Sequence, residues 1–108
     1  MEFAELAENL GLEEDEFLEL VELYIETCSA DLVKLESAVQ QSNIQEVVEL
    51  SHSIKGSSGN LGFMNVFDMA KEIEEKARDN VIEGAVSSVQ SIKEIVKQIS
   101  QKYESRKN

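Results

Sequence analysis

The sequence predicts an all-α fold, an antiparallel up-down-up-down four-helix bundle with a short extra helix at the N-terminus. Three observations predict it. The 108 residues hold no proline and only five glycines, so little in them would break a helix. Apolar residues recur at steps of three and four through four long segments, the spacing that lines one helix face. The links between those segments are short, which favours antiparallel neighbours. The length fits one domain, residues 1–108, with room for one core.

Residues 2–10 place Phe3, Leu6, Ala7 and Leu10 on one face before Gly11 ends the turn. So short a helix must pack on others to persist. The second segment runs from about Glu13 to Gln41, with Phe17, Leu20, Val21, Tyr24, Cys28, Leu32, Leu35 and Val39 at helical spacing. Its opening acids, Glu13 to Glu16, suit the positive end of the helix dipole. Leu18 and Ile25 widen its apolar stripe, leaving a place for the first helix to lie. The third segment starts at Asn43, where Asn43 and Glu46 predict a capping box, and ends between Gly59 and Gly62. The fourth runs from Met64 to Arg78, with Val66, Ala70, Ile73 and Ala77 on one face. Asn80 and Glu83 predict a second capping box. The fifth then reaches about Arg106 through Ala85, Val89, Ile92, Val96, Ile99 and Tyr103, in alternating steps of four and three. From Ser105 the chain is expected to fray.

Composition narrows function. The net charge of −12 opposes binding to nucleic acid or to anionic membrane surfaces. The charge is uneven. Residues 1–33 carry eleven acidic side chains and no lysine or arginine, whereas residues 93–107 carry five cations against two anions. A solvated acidic surface with a dipole-compensating basic end accounts for this, with selective docking as the alternative reading. A lone cysteine, Cys28, excludes an internal disulfide and a cysteine-based metal cluster, and it lies on an apolar stripe as a buried thiol. No apolar run approaches the ~18 residues of a membrane span. The acidic start is unlike a signal peptide, so a cytoplasmic location is expected.

The only histidine, His52, carries the chemistry. In the third helix Val47, Leu50, Ile54 and Leu61 form the apolar face, with Ser51 and Ser58 on the same side. His52 points away from it, towards Gln45, Val48, Lys55, Gly56 and Gly59. Each mid-helix glycine costs roughly 0.5–1 kcal/mol relative to alanine. Two of them beside an exposed imidazole leave room for a partner's backbone or a phosphate. Lys55, three residues on, can reach an anion held on the ring. Glu49, one turn before, could hydrogen-bond the ring. Val48 and Phe63 could form an apolar docking patch on the same side, although Phe63, at the turn, could equally tuck into the core. Ser58 points inward and permits close helix packing.

The stretch HSIKGSSGNLG, His52 to Gly62, resembles the signature of histidine-containing phosphotransfer (HPt) domains, H-x-(apolar)-K-G-(small)-(small). In length and helix order the resemblance covers nearly the whole chain. It implies that His52 takes a phosphoryl group from a receiver-domain aspartate and passes it to another, as an intermediate in two-component signalling. It implies that Lys55 steadies phosphoryl charge and that Gly56 admits the partner. Val48, Glu49, Gly59 and Phe63 are then the expected docking residues. A response-regulator receiver and a sensor or hybrid histidine kinase are the expected partners, and the chain should be a monomer. No cofactor or metal is expected on the chain itself; Mg²⁺ belongs to the receiver. The module should lack kinase activity of its own.

Two other readings remain. The chain could be the histidine-bearing domain of a chemotaxis-type kinase, or an acidic helical adaptor without phosphochemistry. Competing motifs fail. Gly56, Gly59 and Gly62 spell G-x-x-G-x-x-G, but no strand precedes them and Lys55 stands before the glycines, the reverse of a P-loop. One histidine cannot complete a metal site. A hydrolytic triad has no pocket in view.

Overall fold

The computed structural model describes residues 2–107. Five helices make up these residues: α1 (Phe3–Asn9), α2 (Glu14–Gln40), α3 (Ile44–Leu61), α4 (Met64–Arg78) and α5 (Ala85–Arg106). Helices α2 to α5 form a four-helix bundle, the short α1 lies on α2, and the whole measures 42 × 21 × 17 Å. Going round the bundle, α2 packs on α3, α3 on α4, α4 on α5 and α5 back on α2. The α3/α4 seam and the α2/α5 seam therefore lie on opposite sides.

The core is built from the predicted stripes, apart from Leu20 of the α2 stripe, which is exposed. Phe17, Val21, Leu35, Val47, Ile54, Val66, Ala70, Val89, Ile92 and Ile99 are completely buried. Each such side chain larger than alanine contributes about 1.5–3 kcal/mol on leaving water. At the α1 end, the rings of Phe3, Phe17, Phe63 and Tyr24 cluster, with Phe3 edge-on to Phe17 at 5.7 Å and Phe63 at 5.0 Å from Tyr24. Phe3 and Ala7 thus pin α1. Leu10, expected on the same face, is exposed, because the helix ends at Asn9 and the chain turns at Gly11 with φ +72°.

Most helix ends obey local rules. Glu46 N–H donates to Asn43 Oδ1 at 3.2 Å, the cap expected for α3, while the Glu46 carboxylate takes the Asn43 side-chain amide at 3.0 Å. Helix α3 stops at Gly62, whose φ of +89° only glycine adopts without strain. A side chain there would also strike Leu6, 2.9 Å away. An unpredicted cap opens α2, where Glu13 N–H donates to Glu16 Oε1 at 2.9 Å. The box expected at Asn80 and Glu83 does not form. Asn80 takes a left-handed φ of 62° to close α4, and Gly84, not Asn80, caps α5. The basic end is tied down rather than frayed: Arg106 bonds Glu14 at 3.1 Å and approaches Glu2 at 3.5 Å. The acidic start and basic end of the chain are therefore partly complementary. No helix among the described residues is long and apolar enough to cross a membrane.

Candidate functional site

The predicted face of α3 brings His52, Lys55 and Gly56 together, and α4 supplies what the sequence reading lacked. The His52 side chain is 63% exposed. Its Nδ1 lies 3.0 Å from Oε2 of Glu74, whose side chain is only 4% exposed. Arg78, one turn after Glu74, donates to the same oxygen at 2.6 Å. Lys55 Nζ stands 2.8 Å from the other oxygen, Oε1, in an ion pair without good hydrogen-bond alignment. One buried carboxylate therefore joins two nitrogen-bearing side chains of α3, across the α3/α4 seam, to one of its own helix.

Burial alone would push the Glu74 carboxyl up. The contacts from Lys55, Arg78 and His52 outweigh it and hold the value down at about 2. Glu74 is thus an anion, and an ionised carboxylate only accepts. The ring nitrogen facing it must carry the proton. In the neutral imidazole this leaves the lone pair on Nε2, the nitrogen not held by Glu74.

Around the ring the two sides differ. Gly56 is exposed, and a Cβ added there would meet nothing within 4 Å. Towards the start of α3, a groove of about 640 Å³ lies beside His52, with Val48, Glu49 and Arg78 among its walls. Val48 and Glu49 therefore stand where the sequence placed them. Glu49 does not bond the ring: it accepts from Gln45 at 3.3 Å, and Glu74 takes the role. Lys55 is not a free surface cation, being 24% exposed and engaged with Glu74.

Two expected docking residues turn out to be structural. Phe63 is 2% exposed and joins the aromatic cluster, because it is the residue entering α4 and its ring faces Phe17 and Tyr24. Gly59 meets α4: a Cβ there would sit 2.9 Å from Phe67, so its lack of a side chain lets the helices approach. Ser58 is buried as expected and shares a 2.8 Å hydrogen bond with Tyr24 of α2. Ser51, also buried, donates to Val47 O at 2.6 Å.

Glu74 and Arg78 lie outside the α3 motif that marks the site in the sequence. Glu74 does leave a trace there, standing four residues after Ala70 and three before Ala77, on the shoulder of the apolar face of α4. A carboxylate in that position, beside small residues, is set to be covered by the neighbouring helix.

A helical bundle that displays one histidine on a long helix, backed by a buried anion, has the form of a phosphotransfer domain. The Hpt domain family model matches residues 19–102, most of the 108-residue chain, and the chain belongs to that family. No curated protein and no solved structure matches it. Hpt domains are phosphotransfer modules rather than kinases, and the role that follows is histidine-based phosphotransfer in the phosphorelays of two-component signalling.

Proposed function

We propose that His52 is the phosphoryl carrier of this chain, accepting from the phosphoaspartate of one receiver domain and donating to the aspartate of another. The observation that carries the proposal is the exposed ring whose Nδ1 is held by buried Glu74, with Nε2 left as nucleophile. In the forward step the Nε2 lone pair attacks phosphorus, the N–P bond forms, and the aspartyl oxygen leaves with the P–O electrons. Positive charge develops on the ring as the bond forms, and Glu74, across the Nδ1 proton, stabilises it. In the reverse direction the same protonated ring is a good leaving group, returning to neutral imidazole as phosphorus moves to a carboxylate. Acceptor and donor roles then need no change of residue.

The other groups divide the remaining work. Lys55 neutralises phosphoryl charge by sharing its ammonium between Glu74 and the transferred group. The open surface at Gly56 supports close approach of the partner's backbone. Val48 and Glu49 line the groove where the partner docks. Receiver domains and a histidine kinase are the partners, the receiver bringing its own acidic pocket and Mg²⁺. Residues 1–108 act as one such module, and a monomer suffices because the core is filled within one chain.

Intact-mass measurement after mixing with a phosphorylated receiver domain tests this. The wild type should gain one acid-labile phosphoryl group and the His52→Gln variant none. Equal gain by both would remove His52 from the mechanism. Gain only with ATP and a kinase domain would move the chain to the histidine-bearing part of a chemotaxis-type kinase.

A further inference from the structure

Glu74 holds more positive charge than it needs. Lys55, 2.8 Å from Oε1, already balances the carboxylate with one charge. Arg78 adds a second, donating through Nη2 to Oε2 at 2.6 Å. Glu74, Lys55 and Arg78 together therefore carry an excess of positive charge, in a protein of net charge −12. Arg78 is also far from used up by that bond. A guanidinium has five N–H donors, and no other hydrogen bond or ion pair engages this one among the described residues. Its side chain is 58% exposed.

The two cations stand on different sides of the ring. Lys55 follows His52 along α3. Arg78 lines the groove on the other side, towards the start of α3, with His52, Val48 and Glu49. Glu49, the one acid among the groove's lining residues, accepts from Gln45. Arg78 and His52 bond the same oxygen of Glu74, so the guanidinium and the imidazole are neighbours. The ring thus has a cation on each flank, and both are kept in place by one buried anion.

We propose that Arg78 is a second phosphoryl-binding residue of this site, turning its free N–H donors onto the phosphoryl oxygens once phosphorus is on Nε2. The inference rests on His52 being the phosphoryl carrier. Phosphorylation makes the ring cationic, and its Nδ1–H bond to Oε2 strengthens. The ring and Lys55 then balance Glu74 between them, which frees Arg78 for the new anion. A planar guanidinium can meet two phosphoryl oxygens at once, which an ammonium cannot. In the unphosphorylated protein the bond to Glu74 holds the guanidinium beside the ring, so less side-chain freedom is lost when the phosphoryl group arrives.

Phosphoramidate, a small donor that needs no docking surface, tests this on the full chain. Nε2 attacks its phosphorus, the new N–P bond forms, and ammonia leaves with the electrons of the bond that breaks. Intact mass follows the rate, and phosphorus NMR against pH gives the pKa of the phosphoryl group on His52. Arg78→Gln should slow the gain about tenfold, the worth of one charged hydrogen bond. It should also raise the phosphoryl pKa by about one unit, since a nearby cation favours the dianion. Arg78→Lys should recover part of both, and circular dichroism checks that each variant folds. An Arg78 that only braces Glu74 would change the rate and leave the phosphoryl pKa where it is; that result would overturn the proposal. So would equal rates and pKa values in wild type and Arg78→Gln, with the carrier role of His52 intact. A wild type that gains no phosphoryl group on His52 would remove that role, and this inference with it.

Discussion

Replacing Glu74 by glutamine keeps the shape of the side chain and removes its charge, so the variant resembles the wild type with Glu74 protonated. The carboxyl titrates at about 2 in the folded protein against an ordinary value of 4.5. Each unit is worth about 1.4 kcal/mol, so the ionised carboxylate contributes up to about 3 kcal/mol at neutral pH. Loss of one partner from a buried ion pair costs about 3–5 kcal/mol when the other is stranded. Here Lys55 and Arg78 are 24% and 58% exposed and can turn to water, which keeps the cost at the lower end. The folded value lies below the unfolded one, so the contribution is complete above pH 4.5 and is lost as pH falls towards 2. At pH 3 about 2 of the 3 kcal/mol are already gone. Urea denaturation of wild type and Glu74→Gln at pH 7 and pH 3 measures both differences. The wild type should be more stable by about 3 kcal/mol at pH 7 and by only about 1 kcal/mol at pH 3. A gap of the same size at both pH values, or none at pH 7, would refute the account of Glu74 as a buried anion held by its cations.

Other expectations concern the two α3 glycines, the buried hydroxyl pair and the aromatic cluster. Gly56→Ala should stabilise the fold by about 0.5–1 kcal/mol because its Cβ meets open space, and Gly56→Trp should slow phosphotransfer at least tenfold with the fold intact; stopped-flow transfer and thermal melts check both. Gly59→Ala should melt below Gly56→Ala, since its Cβ must displace Phe67. Tyr24→Phe should cost about 1–3 kcal/mol by leaving the Ser58 hydroxyl unpaired; adding Ser58→Ala should cost little more, as a double-mutant cycle would show. Phe63→Ala should cost about 3–5 kcal/mol in denaturant melts without weakening receiver binding under folding conditions.

Helices were legible because their signals are local. The stripe Val66, Ala70, Ile73, Ala77 and the absence of proline set α4 at Met64–Arg78, and Asn43 marked the entry to α3. Errors arose where two elements meet. Asn80 has the chemistry of an N-cap, but the end of α4 claimed it for a left-handed turn. Phe63 shares the His52 side of an extended α3, yet the chain turns at Gly62 and carries its ring into the core. The exposed half of the site, His52, Lys55 and Gly56, could be read because all three lie on one helix. Its buried half could not. Glu74 lies 22 residues away from His52; its place on the shoulder of the α4 stripe marks it for cover, but nothing within α4 names the α3 side chains that it meets. On α3 alone Gly59 falls in the site for the same reason: its neighbour, Phe67, belongs to another helix.

Nitrogen NMR of the phosphorylated protein, labelled in its single histidine, tests most directly the claim that Glu74 holds one ring nitrogen so that the other carries phosphorus. Phosphorus coupling should appear on Nε2 of His52, with the proton retained on Nδ1. Phosphorus on Nδ1, or a phosphorylated protein whose histidine shows no coupling, would contradict it.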